Sequence, residues 1–267
     1  MSALPARHRR TLGLHLCLAI VLCGCATARP ELAQVRALAA GTGAETAFSE
    51  LSQRHVDTYQ RARPYLSPTE DARERLLDAQ RRAAQADVAR LAQAVRLYLQ
   101  ALGRLADADA YEVQPELAGA GAAIRAWPGS GIDDRHVSAY TLLLQQLSRL
   151  GGAASQAHLG QVLHDGDAPL QALLAALDNL LVLYDKSGDN ERDMVLGLLD
   201  VEIAYADTPQ QRLLAVLAKN MQQSKAEEYH LYGLRHTLTR RQLAALAREH
   251  ARLAAALTTT EARWTDR

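Results

Sequence analysis

LDAQRRAAQADVARLAQAVRLYLQALGRL, residues 77–105, sets the architecture of the chain. Leu77, Ala84, Val88, Leu91, Val95, Tyr98, Leu102 and Leu105 recur, after the first step, at alternating intervals of four and three, whereas Arg81, Arg82, Gln85 and Arg90 fall outside the series. A seam at heptad spacing over about eight turns calls for a long helix packed at a shallow angle against another. In a soluble chain such a face is core, so no cofactor is attached to it.

Upstream, residues 44–62 carry Phe48, Leu51, His55 and Tyr59 at spacings of three and four, one face of a further helix. Pro64 and Pro68 punctuate, with Ser67 or Thr69 as the expected N-cap and Glu70 and Asp71 suited to the positive end of the long helix. Downstream, Pro115, Gly119, Gly121, Pro128, Gly129 and Gly131 break the pattern around one short helix expected to end near Trp127. Periodicity resumes after an Asp133 or Asp134 cap with Val137, Tyr140, Leu143, Leu144, Leu147 and Leu150. Separate helices are then expected from Ser155 to Leu163, from Asp167 and Pro169 through Leu173, Leu177, Leu180, Leu181 and Tyr184, and, beyond a polar turn at Ser187–Asn190, along Met194, Leu198, Val201 and Tyr205. The last segment opens at Thr208 and Pro209. It runs through Leu213, Leu214, Leu217 and Met221 to Leu243, Leu246, His250, Leu253 and Leu257, with a bend expected near Gly233. No strand alternation is sustained anywhere, and no tandem repeat has a fixed period. The expected fold is all-α, an elongated antiparallel helical bundle in one body or two helical subdomains: a long-helix hairpin over 44–110, a connecting region over 111–132 and a C-terminal helical region over 133–267.

The N-terminus reads differently. Arg7, Arg9 and Arg10 precede an apolar run from Leu12 to Cys23, about a dozen residues where a spanning helix needs roughly 20, so residues 1–24 read as an export signal. Leu22, Cys23, Gly24 and Cys25 follow, and this quartet resembles the lipobox of bacterial lipoproteins. The resemblance implies cleavage between Gly24 and Cys25, a diacylglyceryl group on the Cys25 thiol, and acylation of the new amino group with a palmitate-type chain. Two or more chains anchor stably where one is marginal. Residues 25–43 then form a lipidated N-terminus and a flexible leader. Ala26, where enterobacterial lipoproteins kept in the inner membrane carry Asp, implies the outer membrane, with the domain facing the periplasm. The stretch Leu97–Asp107, LYLQALGRLAD, is similar to helical lipoproteins of proteobacteria that bring no known activity with them.

Cysteine usage agrees with that reading. Cys17, Cys23 and Cys25 all lie in or next to the signal, so the remaining chain has no thiol for a disulfide, a thiolate-bound metal or a cysteine nucleophile. The 30 basic and 30 acidic residues balance. Loss of the three N-terminal arginines leaves 27 against 30, about −3, which gives no electrostatic reason to bind nucleic acid.

Signatures of catalysis are sparse. No Gly-x-Ser-x-Gly elbow occurs, and Gly129-Ser130-Gly131 has no strand before it. Glu227 and His230 have the Glu-x-x-His spacing used in di-iron bundles and are the sole metal candidates, but the second motif and further carboxylates that such a site needs are missing; the polar stretch Lys219–His230 is expected to project or to line a groove. His158 and His164, six apart, cannot share one ligand from a regular helix. His55 and His250, on apolar faces, read as hydrogen-bonded core or boundary residues. Asp185–Glu191 lacks the glycine and distal glutamate of a calcium loop and reads as a polar interhelical turn. No cofactor is expected. Three functions fit: a non-catalytic, membrane-anchored envelope lipoprotein that binds a protein partner or scaffolds an assembly; a periplasmic immunity or inhibitor protein for a secreted toxin; and a helical metal carrier or enzyme using Glu227 and His230. The first needs only the lipid anchor and helical faces.

Overall fold

The computed structural model describes residues 30–41, 43–107, 121–150, 158–205 and 208–265. Among the described residues seven α-helices follow one another: α1 (Pro30–Ala40), α2 (Gly43–Val56), α3 (Thr58–Ala62), α4 (Pro68–Asp107), α5 (Asp134–Arg149), α6 (Leu159–Ala204) and α7 (Pro209–Thr265). Among the described residues there is no β-strand, only an isolated bridge between Trp127 and Ile132. The fold is an all-α helical bundle.

Local chemistry starts the helices. The Glu70 N–H donates to Ser67 Oγ and the Ser67 N–H to Glu70 Oε2, a reciprocal cap with Pro68 at the first helical position. Asp133 accepts from the Arg135 and His136 N–H groups, while His136 Nδ1 accepts the Asp133 N–H. Thr208 and Gln211 repeat the arrangement at the head of α7.

Leu91, Val95, Tyr98 and Leu102 of α4 are fully buried, as the heptad seam predicts. The seam fades toward the helix start, where Leu77 and Ala84 are only half-buried and no residue before Asp87 is buried. Arg81, outside the seam by spacing, is instead drawn inward to pair with Glu74 at 2.7 Å. The connecting region has, among its described residues, no helix ending near Trp127, where the sequence reading places one: residues 121–127 are extended or bent, and residues 108–120 lie outside the described set. Buried Asp87 secures it by accepting from Trp127 Nε1 at 3.0 Å while pairing with Arg90.

The largest departure from the sequence reading is α6, one continuous helix of 46 residues where two breaks are expected. Pro169 sits inside it, and Ser187–Asn190 is helix rather than turn. A proline interior costs about 3 kcal/mol. Leu163, Leu170, Leu173, Leu177 and Leu181, each fully buried on one stripe, outweigh that cost, since each buried leucine contributes about 1.5 to 3 kcal/mol. Two glycines serve close approach instead of turns. A Cβ on Gly166 would lie 2.2 Å from Tyr98 Oη, and one on Gly188 would lie 2.6 Å from Tyr232 Cε1. Leu159–Val201 is long and apolar enough to cross a membrane by length and composition, but much of it is bundle core.

α7 returns antiparallel along the whole of α6. Asp167 meets His250, Asp178 meets Arg240, Glu191 meets Tyr229 and Asp200 meets Gln222. No break interrupts α7 at Gly233. At one end of this hairpin sit α1, the end of α4 and the C-terminal part of α7, tied by Arg36 to Ala106 O and Asp107 and by Arg252 to Gln34. At the other end, about 60 Å away for some 40 residues at 1.5 Å each, the α6–α7 hairpin reaches its turn.

Candidate docking surface

The residues nominated from sequence do not converge. Glu227 and His230 are both exposed on α7, and no group of three or more His, Cys, Asp or Glu side chains is placed to share a metal among the described residues. Their neighbours do structural work. Glu228 pairs with Arg54 of α2 and with Lys225, both at 2.8 Å, and buried Tyr229 donates to Glu191 Oε1 at 3.1 Å. Lys219–His230 is thus a polar flank, anchored at Glu228 and Tyr229 and running out with the hairpin at its Lys219 end. His158 and His164 are exposed.

Two buried polar networks warrant a test for chemistry. In the first, His250 is fully buried between Asp167 Oδ1 and Tyr98 Oη, each 2.9 Å away, and Tyr98 also reaches the Val162 carbonyl. Burial lowers the His250 pKa against the raising effect of Asp167, and burial raises that of Tyr98. Carboxylate, imidazole and phenol in a row resemble a proton relay, but Tyr98 Oη ends on backbone, with no exposure to substrate. The network ties α4, α6 and α7 together.

In the second, buried Glu191 accepts two bonds from Arg61 of α3, at 3.1 and 2.7 Å, besides the one from Tyr229. Arg54 lies 4.7 Å from the Tyr232 ring centroid, and His55 stacks on Tyr184 at 4.3 Å. Burial, reinforced by Arg81 and Arg61, pushes the His55 pKa down to about 3, so the ring is neutral. Its Nδ1 has no hydrogen-bond partner among the described residues, and the ring is partly buried, a boundary position as expected. Buried His236 likewise has neither ring nitrogen hydrogen-bonded, with Asp185 Oδ1 4.0 Å away. His236 borders an open groove of about 490 Å³ between α6 and α7, where Arg240 is already committed to Asp178. These groups clamp the hairpin stem to α2 and α3 and present no nucleophile beside a base.

Beyond the clamp, the hairpin leaves the bundle. Val195, Leu199 and Tyr229 form a small separate core with Tyr65 and Ala218 packed on it, and past them apolar side chains stand in water. On α6, Leu198, Val201 and Tyr205 are 38%, 54% and 74% exposed. On α7, Leu213, Leu214, Leu217 and Met221 are 65%, 64%, 57% and 46% exposed. Periodicity assigns both series to core faces, and here the structure corrects the sequence reading.

Most of both stripes lies on one face, from which exposed Leu213 and Val216 of α7 turn away. At about 100° per residue, Met194, Leu198, Val201 and Tyr205 sit roughly a quarter turn from the inward direction marked by Val195 and Leu199. Leu214, Leu217 and Met221 sit about a quarter turn, in the same sense, from the inward direction marked by Ala218 and Tyr229. In an antiparallel pair, equal rotations in the same sense bring both stripes to the same side. The tip therefore offers a two-helix apolar face, a contiguous patch of the kind that marks interaction sites.

None of the protein-family models, curated proteins or solved structures compared with the chain matches it.

Proposed function

We propose that the chain is a lipid-anchored envelope protein, non-catalytic, that holds a helical docking surface away from its membrane. The observation that carries this reading is the apolar two-helix face at the hairpin tip, whose heptad-like spacing is that of a helix-packing seam and whose side chains, Met221 against Tyr65 apart, are left exposed by the described residues. The Leu22–Cys25 quartet supports the anchor, and Ala26 supports the outer membrane as its location. Cys25 precedes Pro30 by five residues, and α1 belongs to the bundle end opposite the tip. A tether there directs the tip away from the lipid into the periplasm. The Glu191 clamp and the Asp167–His250–Tyr98 network stiffen the stalk between anchor and tip.

Two measurements on intact cells test the reading. Labelled palmitate should enter the wild-type chain and not Cys25→Ala. A photo-crosslinking amino acid at Leu217 should give a discrete adduct of higher mass, and one at exposed Gln100 should not. Absence of palmitate removes the anchor, and equal yields at the two positions remove the docking surface.

A further inference from the structure

We propose that the groove between α6 and α7 binds a small primary amine with an apolar tail, its ammonium group held between Asp185 and His236. The site lies on the hairpin stem, apart from the tip face, and does not depend on the tip docking a partner or on the lipid anchor.

The polar end of the groove holds two groups without partners. His236 is only 2% exposed, yet neither ring nitrogen is hydrogen-bonded among the described residues, a costly state for a buried imidazole. Its Nδ1 faces Asp185 Oδ1 at 4.0 Å, too far for a hydrogen bond. Asp185 lines the same groove, is half-exposed and makes no hydrogen bond of its own among the described residues. An ammonium nitrogen about 2.9 Å from each acceptor bridges this gap once the unbonded carboxylate swings outward by less than about 1 Å, which sets two N–H bonds at their tetrahedral angle.

Charge selects a cation for that position. Burial lowers the His236 pKa against the raising effect of Asp185, so the ring is neutral and offers an acceptor nitrogen. Asp178 and Asp189 also lie within electrostatic reach of the ring, against Arg240 alone among the bases. Arg240 is held at two points by Asp178, and Asp189 is paired with Arg192. Exposed Arg241, on the rim, stands about 7.5 Å further along α7. A metal ion finds too few donors, since no three His, Cys, Asp or Glu side chains converge among the described residues.

Past the Asp178–Arg240 pair the groove turns apolar. Leu174 and Leu243 are buried there, and Ala175 and Ala244 are exposed along its length. From His236 to Ala244 is about 12 Å along α7, a span that an extended carbon chain covers. The volume of about 490 Å³ is that of a small-molecule cleft.

The test uses the full-length chain in detergent micelles, with histidine labelled by nitrogen-15 and n-hexylamine as the probe at neutral pH. The His236 ring signals, identified by their loss in His236→Gln, should shift saturably with n-hexylamine, and n-hexanol should bind at least about tenfold more weakly. Asp185→Asn, at a half-exposed position, should weaken the amine about tenfold through loss of one charge-assisted hydrogen bond, with helicity by circular dichroism unchanged. Affinity should rise from n-propylamine to n-hexylamine in the wild type, and Ala244→Leu, which fills the tail end, should remove that rise. Equal binding of amine and alcohol, wild-type affinity in Asp185→Asn, or His236 signals that n-hexylamine leaves unmoved would each overturn the site. A rise retained in Ala244→Leu overturns the placement of the tail. A response to zinc without one to the amine makes the pair a metal site and overturns the proposal as well.

Discussion

Replacing Gly166 by Ala should reverse the sign that helix propensity gives. In an open helix the change gains about 1 kcal/mol. Here an ideal Cβ lies 2.2 Å from Tyr98 Oη, 2.5 Å from Cζ and 2.7 Å from Cε2, all well inside contact distance. Tyr98 is fully buried and holds both His250 and the Val162 carbonyl. Moving the ring to admit a methyl group forfeits one or both bonds, at about 1 kcal/mol each, and adds about 1 to 3 kcal/mol of overpacking. After the propensity gain is subtracted, Gly166→Ala should destabilise by about 2 kcal/mol, read as a lower urea midpoint with unchanged slope. In a Tyr98→Ala background the same substitution should be neutral or stabilising, giving a coupling energy of about 2 kcal/mol or more. If Gly166→Ala stabilises the otherwise wild-type chain, Asp165–Asp167 is a turn clear of Tyr98, and the continuous α6 described above is wrong.

Further outcomes follow from the same contacts. Both Glu45 oxygens are buried without a partner, and burial, opposed by Arg96, pushes its pKa up to about 8. The folded state therefore holds a proton that the unfolded state releases above about 4.5, so stability should be full below that pH and fall by on the order of 3 kcal/mol as pH rises toward 9. Glu45→Gln should flatten that fall in thermal melts between pH 5 and 9, and an equally steep decline would refute the assignment. Glu191→Ala strands Arg61 and should cost roughly 3 to 5 kcal/mol in urea melts, whereas exposed Glu227→Ala should stay within about 0.5 kcal/mol. Leu102→Ala in the α4 seam should cost roughly 2 to 5 kcal/mol, and a loss under about 0.5 would put the stripe on the surface.

The parts of the fold legible in sequence are those fixed locally. Ser67 with Glu70, Asp133, and Thr208 with Pro209 announce helix starts because a cap needs only residues within one turn. The stripe from Leu91 to Leu102 was readable because a consistent four-three spacing leaves one face to bury. Pro169 and Gly188 misled, since their local cost is known from sequence while the surfaces that bury the leucine stripe of α6 and the rings that close on its glycines come from α4, α5 and α7. Glu45, Glu191 and His236 are buried through contacts far along the chain, and their spacing carries no trace of that. The tip shows a subtler limit. Periodicity over Met194–Tyr205 and Leu213–Met221 assigns core faces to side chains that are exposed, because a pattern of spacing does not say whether anything covers it.

Coverage of that tip face decides the account most directly. With Leu217→Cys in the full-length chain, maleimide labelling rates would be compared between intact envelopes and envelopes denatured in urea, using exposed Gln100→Cys as reference. A docked tip is strongly protected at 217 in intact envelopes, with almost no protection at 100. Equal, rapid labelling at both positions would show the hairpin tip bare in its native setting and contradict its role as a docking surface.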